Sequence, residues 1–178
     1  MKFAGLTIEI EDIPSNGCRL MFSDCKYLVK GPKFPNLKSI GDYGLAYAFE
    51  NCSRLSSFEL PSTPISIGPY GCKEAFAKSG IKTVENLNLS GIANYGCQCM
   101  FLSCADLEKV DGLSVENFSA YALSGMFSDC SSLTSVQDLH IDDSENTNKE
   151  IGYSRCENMF RNCTSLLSVG GLIKGVYG

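Results

Sequence analysis

Ten cysteines are the residues of this chain with the most obvious capacity for chemistry. Thiols in proteins form disulfides, bind zinc, or act as nucleophiles when a neighbouring base activates them. Cys97, Cys99 and Cys104 are the most closely spaced group. A zinc site needs a second pair of ligands or a nearby histidine, and neither accompanies this group in the sequence. We therefore expect no metal site and no cofactor.

The single histidine, His140, is the residue that a cysteine or serine nucleophile would need as its base. It lies between Leu139 and Ile141, so the alternation of a strand points its imidazole away from the core. Cys130, the nearest cysteine in sequence, belongs to another part of the repeat described below. The chain also has no motif resembling a glycine-rich phosphate loop. The sequence therefore predicts that the protein is not an enzyme and has no catalytic residues.

An internal repeat positions these residues. A two-residue word, Met or Ala followed by Phe, recurs six times, and the steps between its phenylalanines are 27, 27, 25, 26 and 33 residues. A repeat of this length indicates a solenoid, in which each unit buries its apolar side against its neighbours. The phenylalanines of the word are Phe22, Phe49, Phe76, Phe101, Phe127 and Phe160.

Nine of the ten cysteines occupy two phases of this repeat, four residues before the phenylalanine and three after it. Other repeats place Leu45, Leu123 and Ser79 at these phases, so each phase selects a small or apolar side chain for a packed interior. The pattern favours buried free thiols over disulfides between repeats. Cys99 is the exception, two residues before Phe101, and we expect it to be at least partly exposed.

Each repeat has two halves with different periodicity. The second half reads Val-x-x-Leu-x-apolar, as in residues 84–89, 110–115 and 136–141, which indicates a short half-buried strand. In the first half, the apolar residues fall on one face of a helix. Asp42 and Pro69 would suit the first turn of such helices. The sequence therefore predicts one strand and one short helix in each unit.

Two segments carry a family resemblance: Phe34-Pro-x-Leu-x-x-Ile40-Gly and Leu60-Pro-x-x-x-x-Ile67-Gly, each leading to Ala-Phe. They resemble the BspA-like leucine-rich repeats, and Met126-Phe-Ser-Asp-Cys130 resembles the related repeats of surface proteins. The resemblance covers residues 13–173. It implies an α/β fold, a right-handed leucine-rich-repeat solenoid with a parallel sheet on its concave face and short helices on its convex face. It also implies proteins of bacterial or parasite surfaces that take part in adhesion, although phage tail proteins carry similar arrays.

Composition limits the classes of partner. The chain is 44% hydrophobic and 20% charged, which is ordinary for a globular protein, and we interpret residues 1–178 as a single solenoid of about six repeats. A net charge of −5 argues against nucleic acid and anionic membranes as partners. The first residues, MKFAGLTIEIED, lack the apolar core of a secretory signal. We expect either an intracellular protein or one whose signal lies outside this sequence.

The sheet face is the expected binding surface, because solenoids recognise partners on their extended concave side. The residues that face outward between core leucines form a polar row, predicted as Glu59, Asn88, Ser114 and His140. A protein or glycan ligand would bind there. A solvated face needs polar residues even without a ligand, and the sequence leaves both interpretations open.

Three features leave further alternatives. About seven extra residues lie within residues 142–150, where we expect a solvated loop in preference to a calcium site. The last strand-like segment has no obvious polar cap, so the open end of the solenoid could pair with another copy. The leading hypothesis is an adhesion module at the cell surface or secreted. The alternatives are a structural spacer or oligomerisation segment of a larger surface or phage tail-fibre protein, and a cytoplasmic or phage-particle location.

Overall fold

A computed structural model describes residues 6–142, 144 and 155–174 of the chain. Within these ranges all regular secondary structure is β-strand, and long series of turns connect the strands. None of the described residues belongs to a helix that could cross a membrane. The strands are β1 (Asp12–Ile13), β2 (Lys30–Lys33), β3 (Ser39–Ile40), β4 (Ser57–Glu59), β5 (Ile65–Ile67), β6 (Thr83–Ile92), β7 (Lys109–Phe118), β8 (Ser135–Asp142) and β9 (Ser168–Lys174).

The strands form one seven-stranded sheet, in the order β1-β3-β5-β6-β7-β8-β9, and a separate pair, β2-β4. Neighbours are parallel, and residues one repeat apart stand side by side, as in the series Val84, Val110, Val136 and Val169. The parallel sheet of a solenoid is therefore confirmed. In the first two coils the strand is interrupted, whereas β6 and β7 are continuous over 10 residues each.

The predicted interior rows are present. The six phenylalanine rings of the repeat stack as one column, and the leucine or isoleucine that follows each phenylalanine is buried in four of the six repeats, as Leu55, Ile81, Leu107 and Leu133. Because each ring contacts the ring of the next coil, the column runs through the whole described solenoid. Successive ring centroids lie 5.1–5.6 Å apart along Phe22, Phe49, Phe76, Phe101, Phe127 and Phe160.

The short convex helices predicted from the sequence are wrong. The described segments between the strands are successive turns, in which every fourth residue adopts a left-handed backbone conformation. In the second coil these residues are Tyr43, Tyr47 and Asn51, with φ angles of 54°, 58° and 58°. An α-helix of L-residues does not tolerate such angles. A four-residue turn repeat and a helix both return apolar residues every three or four positions, which is why the periodicity suggested a helix.

Hydrogen bonding explains why turns replace the helix. Alternate amides in a turn segment bond within their own coil, as Met21 N donates to the Cys18 carbonyl at 3.2 Å. The intervening amides bond to the next coil, as Cys18 N donates to the Gly44 carbonyl at 2.8 Å. A helix would use these amides internally and leave no donors for the adjacent coil. The turn segments therefore hold the coils together from the side opposite the sheet.

Candidate functional site

Three of the four predicted row residues stand side by side on the sheet. Asn88 pairs in register with Ser114, and Ser114 pairs with His140, so the three side chains follow one line across β6, β7 and β8. All three are half-buried between flanking core residues. Adjacent parallel strands lie about 4.8 Å apart, which brings successive row residues within reach of one ligand. In β9 the line continues to Leu172.

A second polar line runs beside the first, through Ser90, Glu116, Asp142 and Lys174. His140 Nε2 lies 3.9 Å from Glu116 Oε1, and Lys174 Nζ lies 3.9 Å from Asp142 Oδ2. Hydrogen bonds from Ser144 hold the pKa of Asp142 below its usual value, and Lys174 adds to the effect. The two lines together therefore present a polar surface on which the carboxylate form of Asp142 is favoured.

Negative charge predominates on this face. Strands β6, β7 and β8 carry Glu85, Asp111, Glu116, Asp138 and Asp142, whereas Lys109 is their only lysine. The positive charge of Lys109 is balanced by Asp111, because Lys109 Nζ donates a hydrogen bond to Asp111 Oδ2 at 2.7 Å. A surface of this composition favours a partner that carries positive charge.

Glu59, the fourth predicted row residue, does not join the row. It lies in β4, which belongs to the separate two-stranded sheet, and its carboxylate forms an ion pair with Lys33 Nζ at 2.6 Å. Asn88 faces the turn that follows β4, and its side-chain amide donates a hydrogen bond to the Ser62 carbonyl at 2.7 Å. Asn88 therefore holds the second coil against the third in addition to its place in the row.

The coils separate where β4 meets β6. At the other described junctions the residue before the strand donates its amide to the previous coil, as in Ser56 to Val29 at 3.0 Å and Glu108 to Lys82 at 2.9 Å. Among the described backbone bonds, the equivalent donation from Lys82 to Ser56 is missing, and Gly80 N bonds instead to the Cys52 carbonyl at 3.2 Å. Strand β6 of the third coil begins one residue nearer to the phenylalanine of its repeat than the equivalent strands of the other coils do. This shift displaces the backbone hydrogen bonds between the second and third coils.

Two prolines lie in the second coil next to this separation. Pro61 and Pro64 lie in the connection between β4 and β5. Proline has no amide hydrogen and cannot extend a ladder of backbone hydrogen bonds. The result is an opening on the sheet face, the seam cleft, between residues Ser56–Ser62 on one side and Thr83–Asn86 on the other. Its volume is about 420 Å³, within the usual size of a ligand site.

The cysteine ladders are structural. Three residues after the phenylalanine in four of the repeats, the thiol donates a hydrogen bond to the phenylalanine carbonyl of the previous coil, as Cys52 does to Phe22 at 3.0 Å and Cys104 to Phe76 at 3.0 Å. Burial raises the pKa of Cys104 to about 11, so the thiol stays protonated and remains a donor at neutral pH. In the third repeat this phase is occupied by Ser79, whose hydroxyl lies 3.5 Å from the Cys104 thiol of the next coil.

One expectation for the thiols is wrong. Cys25 belongs to an interior phase, yet it is exposed, because the first coil has no described coil stacked on its outer side. Cys99 is partly exposed, as predicted, and all ten cysteines are free thiols. Burial raises the pKa of Cys99, and the carboxylate of Glu74 raises it further. The described residues contain no group of three or more acidic, histidine or cysteine side chains arranged to hold a metal ion.

A ladder of stacked tyrosines was not predicted from the sequence. Tyr43, Tyr70, Tyr95 and Tyr121 stack on the turn segments, and their ring centroids lie 4.9–5.0 Å apart. The Arg19 guanidinium covers the outer face of Tyr43, 5.2 Å from its centroid. The steps between these tyrosines equal those of the phenylalanines, which is the signal that would have revealed them. Because the rings cover one another, the ladder stabilises neighbouring coils more than it offers a binding surface.

The expected insertion, residues 142–150, lies outside the described residues apart from Asp142 and Ser144.

Comparison with known proteins supplies one match. The family model described as the BspA type leucine rich repeat region matches residues 19–166 in 6 copies. Curated proteins and solved structures give no match to the chain.

Proposed function

Since the chain belongs to the BspA-type leucine-rich repeat family, we propose that it is a recognition module that binds a protein or glycan partner through its sheet face. Membership supports a repeat module with a binding role in general. The adhesion role, and a location at the cell surface or outside the cell, are the specific form of the proposal. A cytoplasmic or phage-particle location is the alternative.

The in-register line of Asn88, Ser114 and His140 is the observation that carries this proposal. Their side chains project from three adjacent strands whose spacing is fixed by pairing. A ligand therefore meets a preformed surface, and binding costs the protein little conformational entropy. The line lacks the tryptophan and arginine anchors of tight interfaces. We therefore expect modest affinity for one module, increased when several copies act together.

The test is a triple variant, Asn88→Lys, Ser114→Lys and His140→Lys. Three cations would replace the polar line and oppose any ligand that matches an acidic face, so binding to a panel of extracellular-matrix proteins and immobilised glycans is expected to fall at least about tenfold. Denaturant melts serve as the folding control. A folded triple variant that binds every member of the panel as the original does would contradict the recognition proposal.

That contradictory result would favour the second candidate function, a structural spacer or oligomerisation segment. The exposed terminal strand supports this candidate. All seven residues of β9 are exposed, including Leu172 at 46% and Ile173 at 56%, because β8 covers one edge and no described strand covers the other. An exposed strand edge with apolar side chains is a template for a further strand. Self-association at this end, or continuation of a longer array, would bury it.

A further inference from the structure

The seam cleft has two strand edges that no other described strand occupies. Strand β4 pairs on one side only, with β2. On the facing side, β6 pairs with β7 throughout, but β5 reaches only Leu89 and Ile92 of β6. The stretch Thr83–Leu87 of β6 therefore has an edge without a described strand partner. Such edges present backbone donors and acceptors at the spacing of an extended chain.

Bonds between the coils limit the cleft at both ends. Gly80 N donates to the Cys52 carbonyl at 3.2 Å before the strands, and Asn88 Nδ2 donates to the Ser62 carbonyl at 2.7 Å after them. From β6 to β9 the strands pair along most of their length, so the opening lies where β4 faces β6. A short extended segment, not a whole domain, matches its length.

The floor of the cleft is apolar. Phe58 and Leu60 are both partly exposed there, and a narrow slot of about 50 Å³ extends beneath them towards Phe76, Met100 and Phe101. Burial of an apolar side chain in such a slot is favourable, because it removes apolar area from water. The slot suits a small aliphatic side chain in size.

The rim of the cleft is negative. Glu85 is exposed and lines the opening; it forms no hydrogen bond or ion pair with the described residues, although it lies close enough to Lys109 to help raise the pKa of that ammonium. Glu59 stands on the opposite wall, where its carboxylate is shared with Lys33. A lysine or arginine side chain can lay its apolar stem along Phe58 and present its cation to these carboxylates.

We propose that the seam cleft binds an extended basic segment of a partner protein. The segment lies along the Thr83–Leu87 edge of β6. One of its lysine or arginine side chains points towards Glu85, and an aliphatic side chain at an alternate position of the segment enters the slot. The proposal rests on the recognition role proposed above and adds the chemistry of the partner to it. A glycan would meet the carboxylates and hydroxyls of the rim, but it has no regular amides to match a strand edge and no aliphatic side chain for the slot.

The experiment uses two blocked, fluorescein-labelled hexapeptides, one alternating valine with lysine and one alternating valine with glutamate. Titration of the full chain is expected to show saturable binding of the lysine peptide alone. Glu85→Lys should weaken that binding at least about tenfold, because it places a cation where the peptide cation docks. Glu85→Gln should weaken it less, since only the charge is removed. Amide NMR shifts upon titration should be concentrated in Thr83–Leu87.

Glu157→Lys is the matched control, because Glu157 is exposed on a turn segment and does not line the cleft. It changes the net charge by the same amount and is expected to alter peptide affinity by no more than about twofold. Equal weakening by the two lysine variants would reduce the effect to overall charge and overturn the proposal. So would the absence of peptide binding, or shifts at Thr83–Leu87 caused by neutral oligosaccharides in place of the peptide.

Two measurements distinguish binding at the seam cleft from binding at the row of Asn88, Ser114 and His140. Peptide titration measures the cleft without any natural ligand, whereas the panel measures the row. Ser114→Lys combined with His140→Lys spares the Asn88 contact to the cleft, and a loss of panel binding by this pair with peptide binding retained would place the two sites apart. Loss of peptide binding in Glu85→Lys alone, with panel binding unchanged, would support the cleft and leave the row proposal untouched.

Discussion

Replacing Phe127 by alanine is expected to lower the free energy of unfolding by about 3–5 kcal/mol, as truncation of a buried aromatic residue usually does. Phe127 is completely buried and stacks on Phe101 at 5.3 Å and on Phe160 at 5.6 Å. The cavity would therefore interrupt the aromatic column between two coils. Backbone bonds on both sides of the coil restrict the collapse that could fill it.

Phe22→Ala is the matched control in the same column. Phe22 belongs to the first coil, is only half-buried, and stacks on Phe49 alone along the column, at 5.3 Å. Its replacement should cost clearly less stability than that of Phe127. Urea melts of the two variants measure the difference. Equal and negligible effects would mean that the column does not support the interior.

The second large effect is expected for Gly80→Ala. A β-carbon built at Gly80 would stand 2.4 Å from the carbonyl oxygen of Ser53 in the previous coil. Because the neighbour is backbone, relief requires the two coils to move apart, and such overpacking typically costs about 1–3 kcal/mol. The movement would also weaken the bond from Gly80 N to the Cys52 carbonyl, which closes one end of the seam cleft.

Gly170→Ala is the control for the loss of glycine itself. Its β-carbon would meet nothing closer than the Val136 carbonyl oxygen, at 4.0 Å. Stability should change by no more than about 0.5 kcal/mol, as at an ordinary surface position. Thermal melts compare the two variants. A Gly80→Ala protein as stable as Gly170→Ala would show that the coils are not in contact at Ser53.

The interior could be predicted from the sequence because the same residue types recur at the same spacing. Packing in a solenoid depends on local phase, so the positions of Phe101, Leu107 and Val110 within one repeat were sufficient to assign their burial. The row of Asn88, Ser114 and His140 followed from the alternation within each strand for the same reason. The prediction for Glu59 failed because the strand of the second coil is interrupted directly after that residue, which leaves Glu59 in β4 of the separate two-stranded sheet.

The turn segments could not be predicted by the same means. Apolar periodicity does not distinguish a helix from consecutive four-residue turns. The backbone evidence was present in another form: Asp24, Asn51, Asp129 and Asn162 all stand two residues after a phenylalanine and have positive φ. Asparagine and aspartate tolerate the left-handed region better than other non-glycine residues. This signal indicates turns.

The seam cleft depends on a shift of one residue in a single coil. Ile81 fills the interior position one residue earlier than its equivalents, and the preceding coil carries Pro61 and Pro64. Each feature is visible in the sequence. The opening itself arises from the alignment of two particular coils in space. A pattern averaged over all the repeats does not contain this alignment.

Thiol reactivity tests most directly whether the repeated side chains line a continuous interior. Native protein treated with a maleimide, and analysed by mass spectrometry with time, should be labelled first at exposed Cys25 and next at the partly exposed thiols, Cys18, Cys99, Cys156 and Cys163. Cys104 and Cys130 should be labelled only as the protein unfolds, because both are buried and burial raises the pKa of each thiol. Thiolate is the reactive form. Labelling of Cys104 or Cys130 in the folded protein as fast as that of Cys25 would contradict the stacked-coil interior.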